Sequence, residues 1–176
     1  RGLDIDDIGA VRRIWLSRAA ARNAQSKELL DELDKAFTEA EADAGTNVVL
    51  LAGRGAHFSA GHDLKQAQSE RSSFTVEERW DYESKRYFNY CMRIWDFPKP
   101  TVVQVQGACV AAGFMLANMF DLIVASDDPF FSDTVTHTIG AAYVEFLIHP
   151  WLMCLRNAKE LLFCYNRFTV PSAITL

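Results

Sequence analysis

The chain has 176 residues, of which 49% are hydrophobic and 23% charged, with a net charge of −5. This balance suits one globular domain with a real core and excludes a disordered chain. The negative charge argues against a general nucleic-acid surface, and no apolar run reaches the roughly 18 residues that a membrane-spanning helix needs.

The opening stretch Arg1-Gly2-Leu3-Asp4-Ile5-Asp6-Asp7 has no secretory-signal pattern. It lacks an initiator Met, so a processed chain or a fragment is expected. Val11–Leu16 predicts a strand. Ser26 is a candidate helix N-cap, and Leu29, Leu30, Leu33, Ala36, Phe37 and Ala40 follow at helical spacing. Gly45 is expected to end that helix. Asn47–Ala52 is a continuous apolar run, suited to a strand buried on both faces. Strand, helix and strand in that order predict a right-handed crossover between parallel strands.

Gly53–Lys65 then reads as a loop at the C-terminal end of the strand, and residues 66–75 as polar and mobile. Val76–Phe97 predicts a long helix with Trp80, Tyr87, Cys91, Ile94 and Trp95 near one stripe, stopped by Pro98 and Pro100. Thr101–Gln106 is a third strand. The turn Gly107–Gly113 leads into a short apolar helix, Asp121–Ser126 is a fourth strand, and Asn157–Cys164 begins another helix. The alternation predicts an α/β layered fold. Cys91, Cys109, Cys154 and Cys164 match no zinc or CxxC spacing and are expected to be ordinary buried thiols in a reducing, cytoplasmic setting.

Two glycine-containing loops carry the chemistry, each entered from a predicted strand. The first is His57-Phe58-Ser59-Ala60-Gly61-His62-Asp63-Leu64-Lys65, and the second runs from Gln106-Gly107 to Ala112-Gly113. Alone, the first is as well read as a surface turn, and the second as a tight strand-to-helix turn. Together they have the means to aim two backbone N–H groups at one point, which is how an oxyanion is stabilised.

HFSAGHDLK (57–65) and KPTVVQVQGACVAAGFMLANMFDLIVAS (99–126) resemble the two signatures of the enoyl-CoA hydratase/isomerase, or crotonase, family. The stretch from Val11 to Phe37 is similar to that family's N-terminal strand, substrate loop and helix. The resemblance implies a crotonase-type α/β spiral of ββα units whose C-terminal helical part lies beyond residue 176, and a homotrimer or dimer of trimers when the chain is complete. It implies an acyl-CoA thioester as substrate, with coenzyme A part of the substrate and no other cofactor. The oxyanion donors would be the backbone N–H groups of His62 and Ala112. Ala60, Asp63, Leu64 and Lys65 would line the coenzyme A and thioester channel, Arg22 would meet the phosphates, and Met115 would face the acyl group.

The proton-transfer side chains depart from that family. Its hydratases use two glutamates, and Met115 and Val135 occupy those positions here. Neither can transfer a proton. Asp133 and Glu145 are the candidate catalytic replacements, Glu145 because its apolar run Ala141–Ile148 would desolvate it. Asp133 reads equally well as a turn or helix cap, and Glu145 as an outward-facing carboxylate. His137 and His149 are read as structural or exposed. Without its usual acids the chain reads alternatively as a non-catalytic acyl-CoA binder or an inactive fragment. Gly53-Arg54-Gly55 begins like a dinucleotide fingerprint, but Phe58 takes the third glycine's place. No G-x-S-x-G serine motif occurs.

Overall fold

A computed structural model of the chain describes residues 2–71, 73–138, 148–164 and 168–169. The N-terminal segment, not expected as structure, is strand β1 (Leu3–Ile8). It forms an antiparallel hairpin with β2 (Val11–Leu16), turning at Gly9, which has φ +58°. Its acidic residues hid the signal. They are cross-strand partners: Asp7 pairs with Arg12 at 3.0 Å, and Asp6 accepts from Arg13 and from Trp15 Nε1.

Helix α1 (Lys27–Ala42) buries the predicted residues Leu29, Leu30, Leu33, Ala36, Phe37 and Ala40. Ser26 Oγ accepts the Leu29 N–H at 3.3 Å, a capping bond as expected. The helix stops before Gly45, because Asp43 turns the chain by accepting the Gly45 N–H and the Thr46 hydroxyl, both at 2.9 Å. Strand β3 (Val48–Gly53) follows. The stretch expected to be loop and mobile polar chain holds helix α2 (Leu64–Arg71), begun by Asp63, whose carbonyl accepts the Ala67 N–H at 2.9 Å.

The long predicted helix is present as α3 (Val76–Glu83), a π-helical turn (Ser84–Phe88) and α4 (Asn89–Trp95). Thr75 and Glu78 form a capping box at its start. Tyr87, Cys91 and Ile94 are buried, but Trp80 and Trp95 are 76% and 42% exposed. The π-turn inserts a residue's rotation and swings Trp80 off the stripe.

Strands β4 (Thr101–Val105) and β5 (Ala108–Val110), helix α5 (Ala112–Ala117), and strands β6 (Leu122–Ala125) and β7 (Phe130–Ser132) come next. They are followed by α6 (Val135–Thr138), α7 (His149–Leu152), α8 (Leu155–Cys164) and the two-residue β8 (Phe168–Thr169). The five-stranded sheet has the order β1-β2-β3-β4-β6, parallel from β2 onward. The second sheet is β5-β7-β8. It starts inside the glycine turn, where β5 and β7 are too short to be read from periodicity.

The core lies between the larger sheet and the α1 and α4 helices, with Phe37 edge-on to Phe97 at 5.1 Å and to Phe120 at 6.0 Å. Leu122, Ile123 and Val124 on β6 are exposed. Cys91 and Cys109 are buried thiols, whereas Cys154 and Cys164 are exposed, contrary to the expectation for all four. Among the described residues no helix is long and apolar enough to cross a membrane, and no His, Cys, Asp and Glu cluster could hold a metal ion.

Replacing Ser26 by Ala is expected to lower the unfolding free energy by about 1 kcal/mol. Urea denaturation should show an earlier midpoint with the same slope.

Candidate active site

The two glycine loops are joined by backbone hydrogen bonds. The Phe58 N–H donates to Gln106 O at 2.8 Å, the Ser59 N–H to Ala108 O at 3.1 Å, and the Val110 N–H to Ser59 O at 3.0 Å. The approach is so close that glycine is required. A β-carbon on Gly113 would fall 2.7 Å from Ser59 O, and one on Gly107, where φ is +54°, would fall 2.1 Å from Ala56 O. At Gly61, with φ +93°, a β-carbon would lie 3.2 Å from Ala111 Cβ and 3.4 Å from the Ala112 nitrogen.

Gly61 therefore packs against the start of α5. Ala112 is the first residue of that helix, so its N–H has no intrahelical acceptor. Its carbonyl is fixed by the buried Tyr87 hydroxyl at 2.6 Å and by Gln25 Nε2 at 3.2 Å. On the first loop, the Gln25 N–H donates to Gly61 O at 2.8 Å and the Asp63 N–H donates to Gln25 O at 3.0 Å. This parallel bridge turns the His62 N–H away from the Gln25 segment. The His62 ring sits edge-on to Tyr87 at 4.5 Å. Ala111 holds φ +51° and ψ −122°, a conformation costly for a residue with a β-carbon, while its N–H donates to Ser132 O at 2.8 Å.

A third segment supports both loops. Asn23 is buried at φ +52°, and its Nδ2 donates to Arg54 O at 3.0 Å and His57 O at 2.8 Å. Its Oδ1 accepts the Arg18 N–H at 2.9 Å, and its carbonyl accepts the Ser59 hydroxyl at 3.0 Å. The Arg22 carbonyl accepts the Ala60 N–H at 3.0 Å. Asn23, Gln25 and Tyr87 had no assigned role from sequence. A polar pair inside the small-residue run Ala19–Ala24 was the available signal for Asn23.

Of the sequence candidates, Arg22, Ala60, Leu64 and Lys65 are exposed, and His62 and Asp63 are half-buried. Asp63 is bound to Arg18 at 2.8 Å, and that hydrogen bond holds its carboxyl below the ordinary carboxylate range. Ala112 and Met115 are buried, and so is Val135. Asp133 is fully buried, with Oδ1 accepting the Val135 N–H at 3.1 Å and Oδ2 3.0 Å from His149 Nε2. The bond to the Val135 N–H fits the turn reading of Asp133, and His149 is buried, in line with the structural rather than the exposed reading. His137 is exposed. Glu145 lies outside the described residues.

A family model for enoyl-CoA hydratase/isomerase matches residues 7–170. The chain belongs to the enoyl-CoA hydratase/isomerase family. EchA13 of Mycobacterium tuberculosis is 43% identical over 175 residues, covering 90% of this chain and 55% of that protein. Enoyl-CoA delta isomerase 2 of Rattus norvegicus is 27% identical, over 98% of this chain and 44% of its own length. An enoyl-CoA hydratase/isomerase structure from Xanthobacter autotrophicus Py2 superposes with a TM-score of 0.91 at 34% identity, over 99% of this chain and 64% of that one. The fold is therefore the crotonase fold, and the chain spans about half the length of the curated relatives it matches. Within the chain the two glycine loops lie side by side, joined by the bridge between Ser59 and Cys109.

Replacing Asn23 by Ala strands three backbone groups and is expected to cost about 2–3 kcal/mol. Urea unfolding should show the loss, and hydrogen exchange should show residues 54–60 opening first.

Proposed function

We propose that this chain is an acyl-CoA-processing enzyme of the enoyl-CoA hydratase/isomerase class, with the thioester oxygen received between the backbone N–H groups of His62 and Ala112. The observation that carries the reading is the approach of Gly61 to the Ala112 nitrogen, where a β-carbon would lie at 3.4 Å. An enolate formed from the thioester places its negative charge on that oxygen. Two fixed N–H groups, one of them at the start of α5, stabilise it without reorganising, and one such donor is worth about 3–4 kcal/mol of barrier.

The rim supplies what coenzyme A needs. Arg22 and Lys65 are exposed cations on the two segments that meet at Ala60, suited to phosphates, and Leu64 is 66% exposed beside them. Asp63 serves through its Arg18 pair, which fixes the entry to α2. Met115 gives the acyl group an apolar neighbour. Proton transfer falls to the Asp133 region, with Glu145 as the second candidate. Coenzyme A arrives as part of the substrate, and no other cofactor is required.

A second reading has its own observation. Met115 and Val135, which the resemblance sets at the positions of the family's glutamates, are buried apolar side chains. This favours a non-catalytic acyl-CoA binder.

Calorimetric titration of the chain with butyryl-CoA tests the site itself. Saturable binding is expected, weakened about tenfold or more by Ala112→Val, because a bulkier side chain crowds the loop contact. No binding by a chain that unfolds cooperatively contradicts the proposal.

A further inference from the structure

Beside the proposed hole lies a buried pair whose chemistry the backbone donors do not use. Asp133 and His149 are 0% and 1% exposed. Both carboxylate oxygens of Asp133 are held, one by the Val135 N–H at 3.1 Å and the other at 3.0 Å from His149 Nε2. His149 Nδ1 is buried and has no hydrogen-bond partner among the described residues.

The tautomer follows from the carboxylate. With the proton on Nε2, the imidazole donates to Asp133 and carries a lone pair on Nδ1. The opposite tautomer sets a lone pair against the carboxylate and leaves a buried N–H without an acceptor among the described residues. A buried basic nitrogen with no partner among the described residues calls for a reason. A base whose other nitrogen is oriented by a carboxylate is the arrangement used for proton abstraction.

Two contacts tie the pair to the loop that bears the Ala112 N–H. The His149 ring stacks on Phe114, with centroids 5.8 Å apart and planes at 23°. Ser132, adjacent to Asp133, accepts the Ala111 N–H at 2.8 Å.

We propose that His149 Nδ1 is the proton-transfer atom of this site and that Asp133 positions it, an inference that rests on the acyl-CoA reading. One base suits a shift of a double bond better than hydration, which needs both an activated water and a proton donor. Nδ1 takes a proton from the α-carbon of a 3-enoyl thioester. The C–H electron pair moves into the bond to the carbonyl carbon, and the negative charge settles on the thioester oxygen at the two N–H groups. The imidazolium then returns its proton to the γ-carbon as the electrons flow back, giving the 2-enoyl thioester and neutral His149. Atoms and charge balance with no other reactant.

The test uses 3-hexenoyl-CoA and the whole chain in deuterated water, following binding by calorimetry and α-proton exchange and double-bond shift by NMR. The wild type is expected to bind and to exchange. Asp133→Asn and His149→Gln are expected to lose about 100-fold or more in exchange rate while binding stays within about threefold. Exchange in either variant within about threefold of the wild type overturns the inference. A wild type that binds without exchange also overturns it, but leaves the binder reading standing. Failure to bind at all overturns the acyl-CoA reading and this inference with it. Nitrogen-15 NMR of wild-type His149 decides the matter independently of how the variants fold. A proton on Nε2 and a bare Nδ1 support the inference, and a proton on Nδ1 overturns it.

Discussion

The structure depends on one contact, the seating of the first glycine loop against the start of α5. Ser59 bridges to Cys109 as a short parallel strand pair. Beyond it the chain must bend so that residues 61 and 112 come together, and only a residue without a β-carbon permits both the approach and the positive φ at Gly61. Gly113 meets the same demand from the other side against Ser59. The loops are thus one packed unit, although they come from different strands of the larger sheet.

The surrounding residues hold that unit in a conformation that it would not keep alone. Ala111 sits at a backbone geometry unfavourable to alanine, and its N–H is fixed by Ser132. The Ala112 carbonyl is gripped by Tyr87 and Gln25, which come from α4's neighbouring π-turn and from the segment before α1. Asn23 joins that same segment to the first loop and the chain leading into it through three hydrogen bonds. A π-turn at Ser84–Phe88 is what brings the Tyr87 hydroxyl into this position within an otherwise regular helix, and such turns recur where a helix serves a site. The same insertion exposes Trp80, so a cost on one face accompanies the precise placement on the other.

Long, strongly patterned elements were legible in the sequence. Leu29 to Ala40 marked the buried face of α1, Ser26 marked its cap, and the apolar run at 47–52 marked a strand between two others. Features set by tertiary contact were not. β1 carries alternating acids whose partners lie across the hairpin, and β5 and β7 have three residues each. α2 carries no apolar stripe in its sequence and begins because Asp63 is placed to start it. In the site, the two loops were legible as glycine turns, but His62 and Ala112 were suggested as backbone donors only by the resemblance to the family. The pairing of His149 with Asp133 was hidden because the two lie 16 residues apart and neither residue's own neighbours report it.

The central claim is that the paired loops polarise a thioester carbonyl. Isotope-edited infrared difference spectroscopy of butyryl-CoA, labelled with carbon-13 at the carbonyl and bound to the chain, tests it most directly. Two N–H donors at the oxygen weaken the C=O bond, so the account predicts a band shifted to lower frequency than in free butyryl-CoA. A bound ligand whose carbonyl band stays at the free frequency would contradict it.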